Sequence, residues 1–220
     1  MSEEQPRRAL REHHLTLPLT PGITDDVLAG DIVHLSGEVV MSIGLPTFRR
    51  LRQELHDGVP PPLDLRGAAL MHISSSGRRL DDGTHELDYI NTTTTTRFDD
   101  VMPDLIRGYG LSVVGGKGGL GEESVRAMRE TGTIYLSIPG GGATLLSSAV
   151  REVVEVHWTE YIWQFQLIKT RFEELGPLTV GIDAHGTSLY SDLKSKAENR
   201  LPAIRAALSA RREADLRARP

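Results

Sequence analysis

Every apolar run in this chain is short, and most are bounded by glycine or proline. Runs such as Asp31–Val40 (DIVHLSGEVV), Ala68–Ser74, Glu86–Thr93, Leu111–Gly116, Thr133–Ile138 and Leu178–Ala184 are rich in β-branched residues. That pattern predicts strands rather than long helices. Trp163, Phe165 and Leu167 alternate with Gln164 and Gln166, as in a half-buried strand. Helices are expected between them, over Phe98–Gly110, Gly121–Glu130 and Ala143–Val156. In the first of these, Asp99 and Asp100 fall in the first turn and Gly110 lies beyond the end. Strands and helices in this order predict an α/β domain with a mixed central sheet.

No internal repeat interrupts the chain, and the Pro-rich connection Asp57–Gly67 is too short to separate domains. The expected division is a flexible arm over 1–15, one domain over 16–195 and a helical extension over 196–220. The net charge of −5 argues against nucleic acid or an anionic membrane as partner. The Arg-rich end from Arg200 to Arg219 is broken by Glu213 and Asp215, and reads as a solvated amphipathic helix. No apolar run approaches the roughly 18 residues of a membrane span. The opening MSEEQPRRALREHH lacks the apolar centre of a secretory leader, so a cytoplasmic protein is expected. There is no cysteine, which excludes disulfides, thiolate catalysis and Cys-held zinc or iron–sulfur clusters in this chain.

Two glycine-rich stretches stand out. VVGGKGGLGEES (Val113–Ser124) reads as strand, loop, helix, with Lys117 in the loop. Backbone N–H groups and a helix N-terminus can approach an anion there. A P-loop would need glycine at Leu111 and a hydroxyl residue at Gly118, so that reading fails. Gly116, Gly118 and Gly121 match a dinucleotide fingerprint literally, but the next strand ends in SIPGGG without the acid that fingerprint requires. The second stretch, Ile138–Leu146 (IPGGGATLL), is either a tight packing turn or a second anion or partner surface. No pair among the histidines has the spacing of a zinc helix, and no metal ligands are expected. His72, His157 and His185 read as structural, while Asp183 and His185 at a strand end stay candidates for a site rim.

The threonine run NTTTTTRFDD (Asn91–Asp100) is the most unusual stretch. Side chains alternate along a strand, so the five hydroxyls cannot all face one ligand. Thr93 and Arg97 share a face if the stretch is extended, and the arginine would then open a helix.

With GDIVHLSG (Gly30–Gly37), the Thr–Arg stretch, VVGGKGGLG, PGGGATLL, EVHWTE (Glu155–Glu160) and LGPLTVGIDAHGTSL (Leu175–Leu189) in order, the chain from about Leu19 to Asp192 is similar to a known family. It resembles the β subunits of class I hydro-lyases, the L(+)-tartrate dehydratases and iron–sulfur fumarate hydratases. The resemblance implies a swivelling β/β/α domain. It implies a [4Fe–4S] cluster held by three cysteines of a partner α subunit and not by this chain, in an α2β2 heterotetramer. It implies a hydro-lyase active only with that partner, on a small hydroxy- or unsaturated carboxylate. The family motif Gly-Pro-Thr-Thr-Ser-x-Arg falls on Asn91–Arg97, which makes Thr93 the implied base and Arg97 an implied carboxylate binder. The lysine of Gly-Lys-Gly falls on Lys117.

Three segments depart from the pattern. The family's Arg-Asp-x-x-His is absent: Ile43 or Gly44 stands for its arginine, and Thr47 or Phe48 for its histidine. A Gly-Pro is replaced by Ile73–Gly77, and another by Asn91-Thr92. Losing a charged hydrogen bond to a carboxylate costs roughly 2–5 kcal/mol, so altered specificity is expected. Ser74, Ser75, Asn91 and Thr95 would then offer neutral hydrogen bonds to the changed end of the substrate, with Gly118 beside Lys117. Two alternatives remain: cluster-assisted elimination or isomerisation of another carboxylate, or a domain kept for assembly or binding alone.

Overall fold

A computed structural model describes residues 9–217. Two long strands organise it: β2 (Ile32–Met41) and β9 (Leu167–Ile182). They run antiparallel from Ile32 opposite Thr179 to Met41 opposite Ile168. The other edge of β2 pairs with β1 (Glu12–Thr16) over its first half and β3 (Ala69–Met71) over its second. The other edge of β9 pairs first with β8 (Val150–His157), then with β7 (Ile134–Ser137). Parallel pairings of β3 to β6 (Val113–Gly116) and of β6 to β7 complete a ring, β2–β3–β6–β7–β9–β2. The expected mixed sheet is thus present and closes on itself like a barrel.

Alternation along each strand divides the core in two. Val39, Met41, Ala69, Met71, Val113, Ile134 and Leu136 point to the inside of the ring. Their neighbours Val40, Leu70, Val114 and Tyr135 point outward. Three helices cover that outer face: α1 (Leu45–His56), α2 (Met102–Tyr109) and α3 (Glu122–Thr131). Leu45, Phe48, Leu51 and Leu55 recur at helical spacing, and Phe48 and Leu51 are fully buried. Each such burial is worth about 1.5–3 kcal/mol. A separate hairpin, β4 (Ile73–Arg79) and β5 (His85–Thr92), leans over one end of the ring, where Ile73 and Ile90 join Ile138 and Leu146 in the inner core.

Several expectations need correction. Residues 1–8 of the expected arm lie outside the described residues, but His13 and His14 sit in β1, paired to Val33 and His34. The expected boundary after residue 195 falls inside one continuous exposed helix, α4 (Leu189–Arg217). Ala143–Val156 is not a helix: a 3-10 turn over Ala143–Ala149 leads into β8, where Val150, Val153, Val154 and Val156 favour extended backbone. Trp163–Phe165 is a 3-10 turn rather than strand, because Phe165 donates its N–H to Ile162 O (2.8 Å). α1 was not expected, and α2 begins only at Met102, with proline in its first turn. Asp99 instead caps α3, accepting from Gly121 N (2.9 Å) and Ser124 Oγ (2.6 Å).

Candidate active site

The parallel strands β3, β6 and β7 all end on the same side of the ring, leading into His72, Lys117 and Ile138. Ligands of open α/β sheets gather at such carboxyl ends. Here the threonine segment is laid between two of them. Thr93 N donates to His72 O (3.1 Å), Lys117 N to Thr93 O (3.2 Å) and Thr95 N to Lys117 O (2.8 Å). The two stretches singled out by sequence are therefore bonded to each other, with Thr94 and Lys117 forming a parallel bridge.

Thr93 and Arg97 meet by a different route from the extended one expected. β5 stops at Thr92, and Thr95–Phe98 turn as a 3-10 helix. That turn brings Arg97 Nη1 to 3.3 Å from Thr93 Oγ1. Arg97 lies near the end of this turn and opens no helix. Lys117 leaves the end of β6 and lays its chain along Gly140, close enough that a Cβ there would lie 3.3 Å from Lys117 Cδ and 3.7 Å from Nζ. The second glycine stretch thus backs the lysine of the first. Among the described residues neither Arg97 nor Lys117 is in an ion pair, whereas Arg50, Arg107, Arg151 and Arg171 are held by glutamates. Arg97 is thus a cation without a carboxylate partner beside the Thr93 hydroxyl, and Lys117 is a second on the neighbouring strand end.

The neutral candidates separate into two groups. Ser74 and Asn91 face each other across the hairpin, Ser74 half-buried and Asn91 exposed. Asn91 Oδ1 accepts from Thr92 N (2.8 Å). Gly118 is exposed beside Thr96, whose hydroxyl donates to Gly118 O (3.3 Å). Ser75 and Thr95, by contrast, belong to the fold's interior. Ser75 is buried and accepts the Trp163 indole N–H (2.9 Å). Thr95 is fully buried and accepts the Tyr135 hydroxyl (2.9 Å). Asp183 and His185 sit at the opposite end of the ring, because β9 runs antiparallel to β7. Asp183 is consumed by the N–H groups of Ala29, His185 and Thr187.

His72 is a buried, hydrogen-bonded structural histidine, as expected. It lies at the centre of the ladder: its N–H and Nδ1 both bond Gly115 O (2.7 and 2.9 Å), and its carbonyl holds Thr93. The ring stacks on Phe98 (4.6 Å, 7°) and meets Phe48 (4.9 Å). Burial pushes the imidazole down to about 4, and Nε2 has no partner among the described residues. The available signal was a lone histidine ending an otherwise apolar run, ALMHIS.

The positions that replace Arg-Asp-x-x-His are equally plain. Ile43 N donates to Gln164 O (3.1 Å), the Thr47 hydroxyl bonds Phe165 O, and Phe48 is core. Gly44 caps α1 with backbone alone. No charge stands at any of the four. Among the described residues no three His, Asp or Glu side chains converge to hold a metal ion, and no helix is long and apolar enough to cross a membrane.

A closed mixed sheet with a Thr–Arg–Lys cluster at its strand ends defines the class of fold and site. Residues 4–193 match the family described as Fumarase C-terminus, and the chain belongs to that family. It is 32% identical over 191 residues to L(+)-tartrate dehydratase subunit beta of Escherichia coli K12, covering 86% of this chain and 92% of that one. It is 28% identical over 178 residues to a Methanocaldococcus jannaschii protein provisionally named L(+)-tartrate dehydratase subunit beta, covering 78% and 88%. It is also 26% identical over 187 residues to a Geobacillus stearothermophilus protein provisionally named fumarate hydratase class I, covering 85% of this chain but 35% of that longer one.

Proposed function

We propose that this chain is the β subunit of a hydro-lyase that adds or removes water next to a carboxylate. The observation that carries the reading is the Thr93 hydroxyl beside Arg97 (3.3 Å), tied by backbone to Lys117, with neither cation paired to a carboxylate among the described residues. A substrate carboxylate fits between such cations, with the guanidinium as its bidentate clamp. In dehydration, Thr93 Oγ accepts the proton on the carbon next to that carboxylate. The electron pair of the broken C–H bond becomes the C=C bond as the bond to the hydroxyl on the next carbon breaks; the departing hydroxide takes up the proton that Thr93 received and leaves as water, which returns Thr93 to its starting form. Negative charge accumulating on the carboxylate during this step is stabilised by Arg97 and Lys117. The same cations favour the ionised form of Thr93.

Without cysteine this chain cannot supply the thiolate ligands of an iron–sulfur cluster. The cluster implied by the family is proposed to reside in an α partner, in an α2β2 assembly against which this domain swivels. The name "subunit beta" carried by the relatives supports such a partner. So does the Geobacillus protein, in which a domain like this one occupies about a third of a longer chain. Uncharged residues at Ile43, Gly44, Thr47 and Phe48 favour a substrate with one carboxylate and a neutral far end, facing Ser74 and Asn91. The complex with the α subunit, assayed without oxygen, is expected to hydrate fumaramate in preference to fumarate. Thr93→Ala is expected to lower kcat roughly 10²–10⁴-fold. Full activity in that variant would overturn the assignment of the base.

A further inference from the structure

We propose that Tyr135 is a positioning residue whose hydroxyl ties the segment bearing Thr93 and Arg97 to the loop bearing Lys117. The inference rests on the hydro-lyase reading and extends it to a residue outside the substrate's reach. Tyr135 lies on β7 with its side chain on the outer face, fully buried. Its hydroxyl donates to Thr95 Oγ1 (2.9 Å), and the Gly119 backbone lies within hydrogen-bonding reach of the same phenol oxygen. Thr95 is two residues from both Thr93 and Arg97, and Gly119 is two residues from Lys117. One phenol thus joins the two halves of the site from beneath, where their own backbone bonds join them from the side.

The surroundings keep this tie dry. The Tyr190 ring meets Tyr135 edge-on at 5.9 Å and packs directly over Gly119, leaving no room for a side chain there. Gly116 is similarly bare against the Thr95 hydroxyl. Packing alone would be met by phenylalanine, as Phe48 and Phe98 show in the same outer core. The hydroxyl is required only because two polar groups from two loops converge on it, and each would be buried unpaired without it. Catalysis is sensitive to such ties, since a displacement of about 1 Å can cost about 10²-fold in rate.

The test uses the complex with the α subunit, with fumaramate as probe, and Tyr135→Phe, Thr95→Val and the double variant. Losing one buried hydrogen bond is expected to lower kcat about tenfold in each single variant. KM is expected to change less than about threefold, because Arg97 and Lys117 are still present. The double variant should be no worse than either single one. Hydrogen exchange should accelerate at the Thr95, Lys117 and Gly119 amides, and stay unchanged at Val33 and Leu178. Unaltered exchange or kcat in Tyr135→Phe, or effects that multiply in the double variant, would overturn the proposal. A wild-type complex that turns over no carboxylate removes the hydro-lyase reading instead. Exchange at those three amides then decides the tie by itself.

Discussion

Two glycine-rich loops follow neighbouring parallel strands and end in different structures. After β6 the loop leads into α3, and after β7 into a 3-10 turn and then β8, which pairs antiparallel with β9. The first is crowded. A Cβ on Gly116, Gly119 or Gly121 would run into Thr95, Tyr190 or Asp99. The second is open, with nothing among the described residues within 4 Å of a Cβ on Gly141. In the first loop glycine is needed because other side chains occupy the space. In the second it is needed for backbone shape, and only Gly140 is close to a functional group, Lys117. Similar runs of letters therefore serve two purposes, and the neighbours in space decide which.

That contrast can be broken by substitution. The largest effect is expected for Gly119→Ala, which adds a clash with Tyr190 to a left-handed backbone (φ +73°). Denaturant unfolding should show a loss of about 2–4 kcal/mol. A loss under about 1 kcal/mol would mean that the first loop is no tighter than the second.

His72, which bonds the Gly115 carbonyl twice, gives the next largest effect. Folded, its imidazole takes a proton only near pH 4, against 6.5 for the ordinary group. Acidification between those values therefore favours the unfolded chain. The contribution is complete above about pH 6.5, declines as pH falls and is lost by about pH 4, for a total of about 3 kcal/mol. In His72→Phe this part of the slope of unfolding free energy against pH should vanish. An unchanged slope would show that the imidazole is not held neutral.

Gly141→Ala, strained by φ +75° alone, should cost about 1 kcal/mol in the same unfolding measurement. Leu145, on the turn that follows, is 81% exposed, and Leu145→Ser should change stability by less than about 0.5 kcal/mol. A larger loss at Leu145 would reveal packing in the second loop that the contrast denies.

Much of this architecture was legible in the sequence. β-Branched runs bounded by glycine located β2, β5, β6 and β7, and the family resemblance selected Thr93 and Lys117, which the structure bonds by backbone, and Arg97, whose side chain reaches the Thr93 hydroxyl. The failures have physical reasons. Val150, Val153 and Val156 recur every three residues and mimic a helix, but β-branching and pairing with β9 hold them extended. α1 hid in a stretch compared only with a motif it lacks, although Leu45, Phe48, Leu51 and Leu55 carry the helical period. Thr95 and Ser75 looked like free hydroxyls because sequence cannot show that Tyr135 and Trp163 reach them from β7 and from the turn before β9. The ring closure was likewise invisible, since it depends on which edges of β2 and β9 remain available to each other.

The long pairing of β2 with β9 has a consequence for how the molecule comes into being. Its partners are separated by well over a hundred residues, and β9 also anchors β7 and β8. Such distant pairing slows folding, because a large loop must close before its contacts stabilise anything. On the ribosome, β3, β6 and β7 emerge with their inward faces uncovered until β9 follows them. A nascent chain stopped before Leu167 would carry Thr93, Arg97 and Lys117 yet expose the apolar interior that should support them.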